Sequence, residues 1–323
     1  MSEALRDRAK ELCRSERGFA LVMVLWILVL LTLLVVDFAF STRLETTVVR
    51  NYLEEAQSYY LVQAAFHTAL AEILEDYEYT YLQPEDNQLV FARRNPTEEE
   101  SNEAPDRTDL VLGAGVFSYD ITDEESKINI NVVTRPRLMT LLEQTGVEDV
   151  IQRSTIADSV LDWIDPDSLH KLNGAEDDYY EGEGLPYEAK DGRIDTIEEL
   201  LLVRGVTPTI FFGGVSQDGS ETYTGLVDFL TTTGARLNNN TASETVLRTL
   251  YTEERADSIL AKREANEGVY SENQSSSNFT IVASGRVPGS PVRRSIKAIV
   301  SLGGGRADKT ITIKYWNDNY IGR

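Results

Sequence analysis

The stretch "RGFALVMVLWILVLLTLLVVDFAF", residues 17–40, decides the fold of this 323-residue chain. Its uncharged run, Phe19–Val36, lies between Gly18 and Asp37. As a helix with a rise of about 1.5 Å per residue, the run would span roughly 27 Å, close to the hydrocarbon core of a bilayer. The apolar part of a secretory signal is shorter, about 7–15 residues, so the run predicts a membrane helix that the mature protein keeps. Two alternatives are weaker: signal-peptidase cleavage after Ser41, and the buried core helix of a soluble protein.

The helix is expected to continue beyond the apolar run. No glycine lies between Gly18 and Gly113. An apolar and aromatic stripe, interrupted once by a glutamine, recurs at spacings of three and four residues, as on one face of a helix. Its members are Leu44, Val48, Tyr52, Ala56, Tyr59, Gln63, Phe66, Leu70 and Ile73. The opposite, polar face contains Arg43, Glu45, Arg50, Glu54, Glu55 and Glu72. We therefore expect one helix from Phe19 to about Asp76, with residues 19–40 in the membrane and 41–76 as its continuation.

Charge and cysteine content restrict the classes of function. The chain has 31 Lys and Arg against 53 Asp and Glu, a net charge of −22. This charge repels nucleic acids and anionic lipid surfaces and favours divalent cations or basic partners. The one cysteine, Cys13, precedes the apolar run, so neither a disulfide framework nor a thiolate metal site is expected in the body.

The remaining chain predicts a sheet at both ends of a helical section. Residues 83–109 are polar and contain proline, which is typical of an exposed loop. The run "LVLGAGVFSYDITDE", residues 110–124, predicts a strand, and three β-rich runs at 279–287, 294–303 and 309–317 predict an antiparallel meander. One face of this sheet is expected to pack on the C-terminal half of the long helix.

Residues 134–265 are expected to be mostly helical. "KININVVTRPRLMTLLEQTGV" at Lys127 has a weak echo in "RLNNNTASETVLRTLYTEER" at Arg236, each interpreted as an Asn-rich strand and a helix. A further helix in "DTIEELLLVRGVTPTIF" is expected to be capped at Asp195 and to end at Gly205. Such units resemble the helix-hairpin-helix and sterile-alpha-motif class. Some members of that class bind DNA, but the scarcity of basic surface makes DNA binding a poor interpretation here.

An acidic loop, residues 162–195, is the densest chemical feature. Its carboxylates are Asp162, Asp165, Asp167, Glu176, Asp177, Asp178, Glu181, Glu183, Asp191 and Asp195. Oxygen ligands on a loop shaped by glycine and proline suit calcium, which takes six to eight oxygens. An EF-hand is excluded because Leu169 and His170 occupy the fifth and sixth positions of its template. The alternative is a solvated acidic loop that binds no ion.

The sequence lacks the residue combinations that the common classes of catalytic site require. His67 and His170 are the only histidines, and neither has a recognisable nucleophile partner in the sequence. The phosphate-binding GxxxxGK[ST], HExxH and CxxC motifs are missing from the sequence. Paired carboxylates that hydrolyse a glycoside are the remaining enzymatic hypothesis. We expect no enzyme and no catalytic residue.

The N-terminus resembles the processing site of type IV prepilins and type II secretion pseudopilins. Arg14 and Arg17 precede Gly18, and Phe19 opens the apolar helix. The resemblance implies that prepilin peptidase removes residues 1–18 as a leader, and that Phe19 becomes an N-methylated N-terminus. Most family members have Glu at the fifth mature position, where this chain has Met23.

The acidic loop and the segment after it resemble the minor pseudopilin K family of type II secretion. The quoted residues are "LDWIDPD", "NGAEDDYY" and "DTIEELLLVRGVTP". The resemblance implies an α+β, type IV pilin-like fold: pilin-like parts at 77–133 and 266–323, around an inserted helical, SAM-like domain at 134–265. It also implies structural calcium in the acidic loop. The expected ligands are Asp165, Asp167, Glu176, Asp177, Asp178 and Asp195.

The implied function is structural: a subunit at the tip of the pseudopilus that exports proteins across the outer membrane. The implied partners are the I and J minor pseudopilins, other pseudopilus subunits, prepilin peptidase and the inner membrane, with the body in the periplasm. No nucleic acid is expected. The alternative is a minor pilin or tip adhesin of a type IV pilus.

Overall fold

The computed structural model describes residues 3–96, 102–216, 219, 221–234, 236–304 and 308–321. The helices are α1 Glu3–Leu74, α2 Arg135–Gln144, α3 Val150–Ile164, α4 Asp177–Gly182, α5 Pro208–Phe212, α6 Glu244–Leu250 and α7 Glu253–Ala265. The strands are β1 Tyr79–Leu82, β2 Leu89–Ala92, β3 Leu110–Leu112, β4 Gly115–Asp123, β5 Ile128–Asn129, β6 Gly214–Val215, β7 Thr222–Tyr223, β8 Leu230–Thr231, β9 Asn278–Arg286, β10 Arg293–Gly303 and β11 Thr310–Asn317.

The long helix α1 is continuous across the apolar run and the stripe, as its periodicity predicts. An 18-residue window in Phe19–Leu74 has a mean hydropathy of 3.2, and none of it is buried within the protein. The side chains of the run therefore face outward all round, which fits a single membrane anchor. Residues 1 and 2 of the expected leader lie outside the described residues. The backbone of Gly18 lies within α1, and Phe19 is exposed.

The C-terminal part of α1 packs on a five-stranded antiparallel sheet of order β11-β10-β9-β4-β3. The core between them contains Leu61, Val62, Ala65, Phe66, Ala69 and Ile73 from the helix, and Phe117, Tyr119, Ile121, Phe279, Ile281, Ala283, Ile296, Ala298 and Val300 from the sheet. Gly285 of β9 permits the close approach, since a Cβ there would lie 2.6 Å from the Leu61 Cβ and 2.8 Å from the Val62 nitrogen. The expected helix, meander and packing are confirmed.

Two sequence expectations in this body are wrong. Within 83–109, expected to be loop, Leu89–Ala92 forms β2 and pairs antiparallel with β1. Leu89, Val90 and Ala92 are buried and Phe91 is partly buried. The polar residues on either side of this short apolar run had favoured a loop. Glu72, assigned to the polar face of α1, is buried: it pairs with Arg107 and accepts a hydrogen bond of 2.9 Å from the Tyr119 hydroxyl. Helical periodicity carries no information about such distant partners.

A second core lies in the section between β4 and β9. It contains Leu138, Leu141, Leu142, Ile156, Val160, Trp163, Tyr180, Leu200, Ile210, Phe211, Val246, Leu247, Ala256 and Ile259. Two local expectations need correction here. Thr196, not Asp195, caps the helix at 197, through a capping box with Glu199, and the helix is a 3-10 turn, Ile197–Leu202. The echo at Arg236 forms turns before α6 rather than a strand, because its asparagines bond to distant residues.

A buried polar cluster joins this helical section to the sheet; we call it the Asp123 junction. Asp123 Oδ2 accepts hydrogen bonds from Ser276 Oγ at 2.6 Å, Thr241 Oγ1 at 2.6 Å and Asn238 Nδ2 at 3.1 Å. Its Oδ1 accepts from the Glu125 nitrogen at 2.7 Å. The carboxylate of Asp123 thus holds the start of the helical section and its return to β9 in one place.

Candidate metal centre

The end of α3 and the start of α4 bring three carboxylates of the acidic loop together. Asp162 lies in the last turn of α3, and Asp165 is its C-cap, so they lie on one face at a spacing of three. Glu176 is the N-cap of α4. One carboxylate oxygen from each of Asp162, Asp165 and Glu176 lies within 4.8 Å of the other two. We call this group the three-carboxylate site.

The three-carboxylate site is largely shielded from water. Asp162 is fully buried and Glu176 is 2% exposed. The backbone of Gly174 closes over the site so tightly that a Cβ at this position would lie 1.7 Å from Asp162 Oδ2. Only glycine therefore lets the loop return past Asp162 without a shift.

Aromatic side chains and an arginine fix the loop around the three-carboxylate site. The rings of Trp163 and Tyr180 meet edge-on at 5.5 Å, and Tyr187 lies 5.6 Å from Tyr180. Arg204 donates from Nη1 to the Gly174 carbonyl at 3.0 Å. These contacts preorganise the backbone that positions Glu176, so the site does not depend on a flexible surface loop.

Asp158, one turn earlier in α3, also fixes the loop through polar contacts. Asp158 accepts two bonds from Arg135, Nε at 2.5 Å and Nη2 at 3.2 Å, and one from Asn173 Nδ2 at 3.1 Å. Asn173 precedes Gly174, so this anchor holds the loop where it crosses Asp162. Asp158 is therefore satisfied by neighbouring side chains and is not an unpaired carboxylate.

The electrostatics of the three-carboxylate site leave negative charge uncompensated. Lys171 Nζ lies 3.1 Å from Asp162 Oδ1 and also pairs with Asp165. Two buried oxygens, Asp165 Oδ1 and Glu176 Oε1, accept no hydrogen bond from the described residues. Burial, with added repulsion from Asp162, Asp165 and Asp191, raises the pKa of Glu176 to about 7. One ammonium faces three carboxylates, and unpaired buried oxygens carry a cost that a cation would remove.

The chemistry of this donor set fits a hard cation. Carboxylate oxygens are ligands that calcium takes, together with backbone carbonyls and water. Asp165 Oδ1 and Glu176 Oε1 accept no hydrogen bond from the described residues, whereas both oxygens of Asp162 accept from the Lys171 backbone nitrogen, at 3.2 and 3.3 Å. Asp162, Asp165 and Glu176 would contribute one to two oxygens each. Fewer than the usual six to eight come from side chains of the three-carboxylate site, so further oxygens would have to complete the shell.

The other four expected ligands, Asp167, Asp177, Asp178 and Asp195, are not members of the three-carboxylate site. Asp167 accepts from the Leu169 nitrogen at 3.0 Å, and Asp177 from the Ala189 nitrogen at 2.9 Å. Asp178 lies 2.7 Å from His170 Nε2. Asp195, whose side chain is 81% exposed, pairs with Lys190 at 2.6 Å. Burial raises the pKa of Asp191, and the negative charges of Asp177, Asp165 and Asp167 raise it further.

Asp162 is the residue that the ligand prediction left out. The sequence lists it in the acidic loop, and its spacing of three from Asp165 on a helix was the available signal. What the sequence could not show is that the loop returns Glu176 to the end of α3. The six-residue ligand set therefore remains a prediction for its outer members, and the geometry adds Asp162 to it.

Comparison with known proteins gives the following matches. Residues 119–212, which include the whole acidic loop, match the family model described as type II secretion system (T2SS), protein K. Type II secretion system protein K of Aeromonas hydrophila is 25% identical over 220 residues, 62% of this chain and 62% of that protein. Putative type II secretion system protein K of Escherichia coli (strain K12) is 24% identical over 209 residues, 61% and 60% of the two chains. The chain thus spans less than two thirds of the length of these relatives.

The fold is also similar to a solved structure. A chain in the crystal structure of the GspK-GspI-GspJ complex from the enterotoxigenic Escherichia coli type 2 secretion system superposes with a TM-score of 0.59 at 15% identity. The match covers 84% of this chain and 99% of that one. Together the matches confirm the resemblance to the protein K family and the mixed fold, a long apolar helix with an antiparallel sheet.

Proposed function

We propose that this protein is a minor pseudopilin at the tip of a type II secretion pseudopilus, with a structural role in protein export. The observation that carries the proposal is the match of residues 119–212 to the protein K family, on a chain whose long apolar helix packs on an antiparallel sheet. The I and J minor pseudopilins are the proposed partners, supported by the similarity to a chain of the GspK-GspI-GspJ complex. The same evidence favours a structural protein over an enzyme.

The proposed location is the inner membrane, crossed once, with the body in the periplasm. The arginines before Gly18 agree with a cytoplasmic leader, since positive charge near a membrane helix favours the cytoplasmic side. Prepilin peptidase would cut after Gly18, and methylation would follow at Phe19. Intact mass of the protein extracted from membranes tests this step, and a mature chain that begins after Ser41 would contradict it.

The tip position is supported by Met23. In the pilin family that the chain resembles, a Glu at this position pairs with the free amine of the adjoining subunit within lipid. An unpaired charge in hydrocarbon costs several kcal/mol, so the pairing has a clear physical reason. A subunit with no neighbour above it has no such amine to neutralise, and an apolar residue carries no penalty there. The helical section, 134–265, would also obstruct a subunit stacked above it.

Crosslinking in cells tests the tip position. Photo-crosslinkers on the exposed face of the sheet should capture the I and J type subunits, and never the major subunit on two sides. Met23→Glu should leave tip assembly intact or impair it mildly. If Met23→Glu enters the filament shaft freely, the helical section is no steric block and the tip assignment loses its support. Crosslinks to surface pili alone would favour the pilus alternative.

We further propose that the three-carboxylate site holds structural calcium. The supports are the buried, unpaired oxygens of Asp165 and Glu176 and the excess of carboxylates over Lys171. Bound calcium would supply positive charge and order to the acidic loop and take part in no reaction. Asp162, Asp165 and Glu176 are the proposed inner ligands, and Asp167 and Asp177 are proposed to contribute from the rim.

A further inference from the structure

A groove outside the acidic loop crosses the boundary between the helical section and the sheet. It consists of two cavities that share Glu125, Arg236 and Leu237. The first has a volume of about 230 Å³ and an apolar wall formed by Ile128, Val132, Val133, Leu250 and Tyr251. The second, about 530 Å³, is lined by Asn273, Gln274, Asn278 and Ser301, among others. We call the two cavities together the junction groove.

Two arginines without partners stand at the apolar cavity. Arg137 on α2 and Arg236 before α6 are both exposed. Within the part of the chain that the structure describes, neither side chain forms an ion pair or hydrogen bond, although the protein has a net charge of −22. The other cation of this cavity, Lys127, is already paired with Glu124 at 2.8 Å.

The acidic side chain of the junction groove is held in place by the protein. Glu125 Oε1 accepts hydrogen bonds from the Ser277 nitrogen at 3.0 Å and Asn278 Nδ2 at 2.8 Å. Oε1 of Glu125, which lines both cavities, is therefore already bonded to the protein. The guanidinium groups of Arg137 and Arg236 remain available, and they favour planar carboxylates that can accept two hydrogen bonds at once.

We propose that the junction groove binds an extended segment of a partner protein in which a large apolar side chain is flanked by Asp or Glu. A volume of about 230 Å³ is smaller than the roughly 300–1,000 Å³ of a typical pocket for a drug-sized ligand, so the first cavity suits one side chain. Arg236 lines both cavities, so the bound chain passes this arginine rather than ends there. We therefore expect side-chain carboxylates, not a chain terminus, to meet Arg236 and Arg137.

The second cavity fits the backbone of the same segment. Asn273 Oδ1 already accepts from Arg94 at 2.8 Å, so Asn273 and Gln274 offer their amide N–H groups, and Asn278 its amide oxygen, to an extended main chain. Gln274 and Asn278 already bond to the protein, through the Asn239 nitrogen at 2.8 Å and Glu125 at 2.8 Å, so their positions are fixed. Binding of such a segment would be an activity beyond filament assembly. The inference does not rest on the proposed function.

Fluorescence anisotropy with the full-length protein in detergent tests the proposal. The probe is a fluorescein-labelled peptide of sequence GSDFDSG with an amidated C-terminus. Control peptides GSNFNSG and GSDADSG remove the charges and the aromatic ring separately. We expect GSDFDSG to bind about tenfold more tightly than either control, since a tenfold change corresponds to about 1.4 kcal/mol and anchor residues commonly exceed 1 kcal/mol.

Variants of the arginines decide whether the junction groove is responsible. Arg137→Gln with Arg236→Gln should weaken GSDFDSG binding by about tenfold or more. Arg293→Gln, an exposed arginine of β10 outside the groove, removes the same kind of charge and should change binding by less than about twofold. All these side chains are exposed, so the melting temperature should not move. Charge reversal by Arg137→Glu with Arg236→Glu should switch the preference to GSKFKSG.

Three outcomes overturn the proposal. The first is equal binding of GSDFDSG and GSNFNSG, and the second is wild-type binding by the Arg137→Gln, Arg236→Gln protein. The third is no binding of GSDFDSG at millimolar concentration. If the double glutamine variant does not fold, Arg137→Lys and Arg236→Lys take its place. They keep the charge but lose the planar fork, and should bind GSDFDSG about threefold more weakly.

Discussion

The Asp123 junction and the three-carboxylate site both bury carboxylates, but only the first satisfies them. Asp123 receives four hydrogen bonds from neutral donors of the protein. Asp165 and Glu176 each keep a buried oxygen without a donor among the described residues. A carboxylate surrounded by donors needs no ion, whereas carboxylates that face each other require a cation or a proton. The partners of the first carboxylate therefore come from the protein alone, whereas we propose that calcium completes the second cluster.

The largest expected effect comes from the self-sufficient cluster. Asp123→Ala removes the acceptor of Ser276 Oγ and of the Glu125 nitrogen, whereas Thr241 and Asn238 each keep another acceptor. Each buried unsatisfied donor costs about 1–3 kcal/mol. We expect the free energy of unfolding to fall by roughly 4 kcal/mol, with or without calcium. Denaturant unfolding of the full chain in detergent measures it. The control is Asp120→Ala, which removes an exposed carboxylate from the same strand. If both variants lose equal stability, the hydrogen bonds of the Asp123 junction contribute nothing beyond what an exposed carboxylate does.

The same carboxylate predicts a pH dependence. Burial, against the hydrogen bonds from Ser276 and Thr241, raises the pKa of Asp123 from 3.8 to about 6. A raised pKa means that the folded state binds the proton more tightly. Protonation of Asp123 therefore stabilises the folded state. This contribution is fully present below about pH 3.8 and is lost as pH rises through about 6. At 1.36 kcal/mol per pKa unit, it amounts to at most roughly 3 kcal/mol.

The comparison with Asp123→Asn isolates that contribution, because all other groups titrate in both proteins. The stability advantage of the wild type over Asp123→Asn should grow as pH falls from 7 to 4, with both proteins in chelator. An advantage that stays constant over this range would show that the Asp123 carboxylate is ionised throughout, and that its four donors outweigh its burial.

Patterns within one segment could be predicted from the sequence, but contacts between distant segments, such as those in these two clusters, could not. The helix α1 and the meander follow from patterns within single segments, such as the stripe from Leu44 to Ile73, whereas the fold class followed from the family resemblance. The acidic loop was recognisable from composition alone. The partners of Glu72 and of Asp162 were not, because Arg107 and Glu176 reach them only through chain folding. The β1–β2 hairpin was missed for a similar reason: its strands have four residues each, too few for periodicity to be read.

Calcium should affect only the second cluster. Ligand at about 100 times its dissociation constant stabilises the state that binds it by roughly 2.7 kcal/mol. Chelation should therefore lower the melting temperature of the wild type, and Asp162→Asn should abolish the response. Asp195→Asn is the comparison variant, since Asp195 was also an expected ligand but pairs with Lys190 on the surface, outside the three-carboxylate site. If Asp195→Asn loses the response and Asp162→Asn keeps it, the three-carboxylate site is not the calcium site.

The smallest expected effect concerns Lys171, which lies where a cation would sit. Its ammonium pairs with Asp162 and Asp165, so calcium must displace it or bind beside a positive charge. Lys171→Met keeps the length of the side chain and removes the charge, and we expect calcium affinity to rise by about five- to tenfold, about 1 kcal/mol. Isothermal titration calorimetry of the full chain measures it. Without calcium the same variant should be less stable, because three carboxylates then face each other without compensation. A variant with weaker calcium affinity would mean that Lys171 shapes the loop for the ion instead of competing with it, and the two clusters would differ less than their hydrogen bonds suggest.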